Sequence, residues 1–127
     1  MIKTVSMIQG TTNSGKTRKL FRLFRSSVKR SKSCLIYFNE NELSLIPEEE
    51  IEALASTLRI EKNNLTPEQF VDDLNTFIDE HNFEKIFIDD LHYFASNIDD
   101  VKKLNHLINY VKVDCTYTMP IHKSRKD

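Results

Sequence analysis

Both glycines of this chain lie in one eight-residue segment, Gly10-Thr11-Thr12-Asn13-Ser14-Gly15-Lys16-Thr17, directly after the mostly apolar run Val5-Ser6-Met7-Ile8. A strand that feeds a glycine-bounded turn and then a helix restricts the fold to layered α/β arrangements. The residue types also set the task of the turn. Glycines let successive backbone N–H groups converge on an anion, and the N-terminus of the following helix adds its positive dipole end. Lys16 supplies a point charge for terminal phosphates, and Thr17 supplies a hydroxyl for a divalent cation.

The rest of the composition narrows the setting. With 127 residues, 39% of them hydrophobic, the chain is long enough for one domain and too short for two separate cores. A net charge of −1 gives no global positive field for nucleic acid or an anionic membrane. Cys34 and Cys115 stand far apart in apolar runs, the pattern of buried thiols in a reducing cytosol. No apolar run approaches the ~18 residues of a membrane span, and the N-terminus lacks a signal-peptide pattern. The expectation is a cytoplasmic protein without a membrane partner.

Hydrophobic periodicity predicts alternating strands and helices: a strand over Ile2 to Ile8, a helix from Lys16 to about Arg30, and a strand Cys34-Leu35-Ile36-Tyr37-Phe38. Pro47 followed by three glutamates predicts a second helix with Ile51, Leu54, Ala55 and Leu58 inward. Thr66-Pro67-Glu68-Gln69 is a capping-box signature for a helix to about His81, with Phe70, Val71, Leu74, Phe77 and Ile78 inward. Lys85 to Asp90 reads as a third strand ending in two carboxylates. Asp99 or Asp100 would cap a helix carrying Val101, Leu104, Leu107 and Ile108, before a fourth strand over Val113 to Thr118. The expected architecture is a three-layer α/β/α domain over residues 1–120 with a mainly parallel sheet of about four or five strands, and a basic, frayed tail over 121–127.

The glycine segment is a P-loop, or Walker A, pattern, and Ile86-Phe87-Ile88-Asp89 has the form of its Walker B counterpart, an apolar strand delivering a carboxylate. Asp89 would complete the Mg²⁺ shell begun by Thr17 and the phosphates of ATP or another NTP. Glu40 and Asp90, each at a strand end, are the candidates to position or deprotonate the attacking group. The run ending in Glu40 resembles the second strand of RecA-like ATPases, whereas Ile88-Asp89-Asp90-Leu91-His92-Tyr93-Phe94 resembles the Walker B region of AAA+ ATPases. Both belong to the additional-strand group of P-loop NTPases, which this chain resembles over residues 1 to about 120, in a minimal form that would suit a phage or mobile element. No counterpart is evident for a fifth strand or for recombinase DNA-binding loops.

Resemblance to these families implies a small Mg²⁺-dependent ATPase, with Lys16 stabilising charge on the γ-phosphate and Glu40 or Asp90 orienting water. Two alternatives stay open. One is a non-catalytic nucleotide-binding module; the other is a nucleoside or nucleotide kinase, since thymidine kinases also look like this P-loop followed by a basic helix. Thymidine kinases usually carry a glutamate after the Walker B aspartate, and zinc-binding cysteines, neither of which is present. Thr116, Thr118 and His122 are available near the fourth strand to sense a γ-phosphate, without one being singled out. Arg125 is the weak candidate for an arginine finger, which a neighbouring copy or partner ATPase would otherwise supply. Arg18, Arg22, Arg25 and Lys29 fall on one helix face; they would contact nucleic-acid phosphates or an acidic protein, although a solvated outer face is the simpler reading.

Overall fold

The computed structural model describes residues 3–10, 15–37, 57–59, 66–94 and 97–120. Along the chain these form β1 (Val5–Gly10), α1 (Lys16–Ser27), β2 (Ser33–Tyr37), β3 (Thr57–Arg59), α2 (Pro67–His81), β4 (Lys85–Ile88), α3 (Ile98–Leu107) and β5 (Asp114–Pro120). Short 3₁₀ turns occupy Leu91–Phe94 and Ile108–Tyr110.

Every strand pairing is parallel, and the order across the sheet is β1-β5-β4-β2-β3. From β1 to β2 the chain crosses the sheet in one direction through α1; from β3 through β4 to β5 it returns through α2 and α3. Crossovers keep one hand, so reversing direction places the helices on opposite faces. The core divides accordingly. Cys34, Ile36, Ile86, Ile88, Cys115, Tyr117 and Met119 pack with Phe70, Val71, Leu74 and Ile78 of α2 and Leu104 of α3. The alternate residues Leu35 and Phe87 pack with Leu20, Phe21 and Phe24 of α1. Period-two alternation along each strand thus feeds two cores at once. On the α1 side Phe24 meets Phe87 edge-on, with ring centroids 5.7 Å apart, a geometry worth about 1 kcal/mol beyond the area buried. The expected three-layer α/β/α domain is therefore what the chain forms.

Local signals set the helix ends. The Thr66 hydroxyl accepts from the Gln69 N–H while the Gln69 side chain accepts from the Thr66 N–H, both at 3.1 Å. Asn82, in the left-handed region at φ 58°, stops α2 where the sequence predicts. Four expectations need correction. The cap of α3 is Asn97, whose side chain accepts from the Asp100 N–H at 2.9 Å; Asp99 and Asp100 sit in the first turn, where their charge meets the dipole. α1 ends at Ser27, short of Arg30, in a turn over residues 28–30. Leu58, expected inside a helix, belongs to β3, which gives hydrogen-bonding partners to the outer edge of β2. β3 is thus a strand that the periodicity did not reveal, and the remainder of the helix expected from Pro47 lies outside the described residues. β5 runs two residues past Thr118 because β1 itself continues to Gly10, pairing Gly10 with Pro120. Residues 121–127 also lie outside the described residues, and none of the described helices is long and apolar enough to cross a membrane.

Candidate phosphate and metal site

A parallel sheet delivers all its strand ends to one edge, so the end of β1, the start of α1 and the ends of β4 and β5 converge. Gly15 turns the chain into α1 at φ 87° and ψ 11°, a left-handed conformation suited to glycine. Lys16 and Thr17 follow as the first residues of the helix, both half-buried.

From there the Thr17 hydroxyl reaches Asp89, donating to Oδ1 at 3.0 Å. Asp89 is 1% exposed, and its own N–H donates to the Ile36 carbonyl at 2.9 Å, continuing the β2–β4 ladder one residue past the strand. A second hydroxyl converges on the same carboxylate oxygen. Thr118, fully buried on β5, donates to Asp89 Oδ1 at 2.9 Å and accepts from the Asp90 N–H at 2.7 Å. Asp90 adopts φ 57°, the left-handed region that a non-glycine residue rarely enters. The structure therefore brings Thr17, Asp89, Asp90 and Thr118 together. The first three are the residues that the sequence motifs point to; Thr118 is not distinguished from Thr116 by sequence. The difference is register: Thr116 sits opposite Phe87, inside the paired part of β4, whereas Thr118 lies beyond the Tyr117–Ile88 pair, level with the turn that carries Asp89 and Asp90.

Thr11, Thr12, Asn13, Ser14, Glu40, His122 and Arg125 lie outside the described residues. Of the basic stripe, Arg18, Arg22 and Lys29 are exposed and Arg25 is half-buried, opposite the face through which Leu20, Phe21 and Phe24 enter the core. A cavity of about 310 Å³ lies at the far end of the sheet, between the start of β1 and the end of α1, with Thr4, Ser6, Arg30 and Lys85 in its wall. Its distance from the glycine turn separates it from the phosphate site.

Both thiols are free and buried, as the sequence predicts. Cys34 and Cys115 each pair in register with Ile86 from opposite sides, so they stand two strand spacings apart, about 9–10 Å, too far for a disulfide. Burial pushes both thiols up to about 12; for Cys115 the charge of Lys3 pulls weakly the other way. Among the described residues no three His, Cys, Asp or Glu side chains cluster as a metal cage. His81 and His106 are both exposed.

A glycine turn feeding a helix at the carboxyl edge of a parallel sheet, with a helix hydroxyl against a strand-end carboxylate, defines a P-loop nucleotide-binding domain of α/β/α type. The family model for thymidine kinase matches residues 3–120, and the chain belongs to that family. No curated protein matches the chain. Thymidine kinases use ATP as phosphate donor with Mg²⁺, and the residues here fit both. Thr17 and Asp89 offer hard oxygen ligands, few in number, as suits a cation that keeps waters and takes its remaining ligands from phosphates.

Proposed function

We propose that this domain is an ATP-dependent nucleoside kinase that transfers the γ-phosphoryl group to the 5′-hydroxyl of a thymidine-like nucleoside. In that reaction a bond forms between the 5′-oxygen and the γ-phosphorus, and the bond from the γ-phosphorus to the β,γ-bridging oxygen breaks. The products are a nucleoside 5′-monophosphate and ADP, and the proton of the hydroxyl passes to a carboxylate. Asp90 is the residue chosen for that proton; Glu40 is the alternative base. Lys16 balances charge on the β- and γ-phosphates, and residues Gly10 to Thr17 supply the N–H cradle. Thr17 and Asp89 would hold Mg²⁺, which when bound offsets the phosphate charge as the leaving group departs.

The observation that carries this reading is the Thr17–Asp89 hydrogen bond, which joins the phosphate-binding helix to the end of β4 across 72 residues of sequence and leaves Asp90 next in line. The family match favours phosphoryl transfer to a nucleoside over transfer to water. Membership of the additional-strand group has its own support, since β5 lies between the P-loop strand β1 and the Asp89 strand β4.

The test is to incubate the protein with Mg²⁺ and ATP, alone and with each deoxynucleoside, and to quantify ADP and nucleoside monophosphate. One ADP per monophosphate, and none without nucleoside, is the expected result. ADP release independent of nucleoside would replace the kinase by an ATPase. Binding of ATP without any turnover would reduce the domain to a nucleotide-sensing module.

A further inference from the structure

Thr118 is far in sequence from both the glycine turn and the first residues of α1, yet its single hydroxyl makes both hydrogen bonds a hydroxyl makes best. It donates to the Asp89 carboxylate and accepts from the Asp90 backbone N–H. The second bond bears on a strained residue. At φ 57° Asp90 stands in the left-handed region that is disfavoured for a residue with a side chain, and the conformation is held where neighbours fix it. The 2.7 Å bond from the Asp90 N–H to a fully buried hydroxyl is such a constraint.

We infer that Thr118 is a positioning residue that couples the two functional carboxylates: one hydroxyl orients Asp89 toward the metal position and locks the backbone turn that aims Asp90 at the acceptor hydroxyl. This inference rests on the kinase reading, with Asp90 as base. The place of Thr118 in the sheet suits the role. Its backbone pairs with Ile8 of the P-loop strand, so the peg is anchored beside the strand that leads into the phosphate turn. Thr17 and Thr118 share one carboxylate oxygen; when Thr17 turns to a cation, Thr118 keeps its hold on Asp89. Thr116, two residues earlier on the same face of β5, lies opposite Phe87 and has no such reach.

The experiment compares Thr118→Val, Thr118→Ser, Asp90→Asn and the Val/Asn double variant, with Thr118→Ala as a second deletion should the valine protein fail to fold. Two readouts are taken: amide hydrogen exchange at Asp90 in the ligand-free protein, and steady-state kinetics of nucleoside phosphorylation. Removing the hydroxyl is expected to speed Asp90 amide exchange at least about tenfold and to lower kcat about ten- to hundredfold with both KM values nearly unchanged. Thr118→Ser restores protection and brings kcat back to within about threefold. The double variant should lose clearly less than the product of the two single losses, because the part of the Thr118 effect that passes through Asp90 is already gone and only its hold on Asp89 is left to lose. Losses that multiply, an unprotected Asp90 amide in the wild type, or an undiminished kcat in Thr118→Val while Asp90→Asn is inactive would overturn the inference and leave the kinase reading standing. Full activity of Asp90→Asn would overturn the assignment of the base, and the coupling role with it.

Discussion

Substituting Gly15 separates two explanations for the second glycine of the loop, steric room and backbone conformation. A Cβ built on Gly15 meets nothing within 4 Å among the described residues, so an added methyl has space there. The cost of a side chain must then come from φ, which stands at 87°. Placing an L-residue there costs about 1–2 kcal/mol, and the reduced freedom of the unfolded chain offsets about 0.4–1 kcal/mol of it. The net loss for Gly15→Ala is about 1 kcal/mol. For a chain of 127 residues, an unfolding entropy of about 0.27 kcal/mol/K converts that into a fall in Tm of about 4 °C. Because the backbone sets the penalty, the order of Tm should follow tolerance of the left-handed region: Gly above Asn, Asn above Ala, Ala above the β-branched Val. Thermal melts of the four proteins, with and without Mg²⁺ and ATP, provide the assay. The rise in Tm with nucleotide should shrink in the same order, since relaxing φ swings the first N–H groups of α1 away from the phosphates. An alanine variant as stable as wild type, with its nucleotide response intact, would refute the argument that φ at Gly15 builds the site.

Other expectations follow from the same structure. Lys16→Ala should leave the ligand-free Tm within about 2 °C, because the residue is half-buried at a helix start, and should abolish most of the stabilisation by ATP, which is about 2.7 kcal/mol for wild type at a hundred times Kd. Thr66→Ala removes one half of the α2 capping box and should lower stability by about 1 kcal/mol in a urea titration, with no change in nucleotide affinity. Cys34 and Cys115 should resist a thiol reagent at pH 8 in the native protein and react at once in denaturant, since burial holds both near 12. The same shift fixes a pH dependence. The folded state keeps the thiol protons longer than the unfolded state, so their contribution is complete below about pH 8.5 and is lost as pH rises toward about 12. Each thiol contributes a slope of up to about 1.4 kcal/mol per pH unit, measurable as a falling urea midpoint in that window.

What could be read in the sequence depended on how local the signal was. The α2 boundaries were legible because cap, first-turn proline and reciprocal glutamine fall within four residues. The pairing of Thr17 with Asp89 followed from the requirements of phosphate and cation, which hold whatever the fold. β3 was hidden because Thr57-Leu58-Arg59 has too few residues for a period, and only the open edge of β2 gives it a reason to be extended. Thr118 was hidden for a related cause. Side-chain parity puts Thr116 and Thr118 on the same face, and the register of β5 against β4, which separates them, is a property of the assembled sheet. Two departures from the thymidine kinase pattern, aspartate in the place of the usual glutamate and the missing zinc-binding cysteines, set the kinase reading below hydrolysis when the sequence is read by its motifs. The rest of the family's pattern, spread over residues 3–120, outweighs both.

The insertion of β5 between β1 and β4 also dictates when the domain can fold. The P-loop strand has no neighbour among the described strands other than β5, and the hydrogen bond that ties the start of β1 to Asp114 spans 110 residues. Closing a loop of that length costs about 4 kcal/mol before any contact forms. During synthesis, β1 must wait unpaired until nearly all of this sequence has left the ribosome, and the phosphate turn can take its shape only once the strand carrying Thr118 slots in beside it. Assembly of the site is therefore tied to the last step of sheet formation, and a nascent chain that lacks β5 should neither bind nucleotide nor form this sheet.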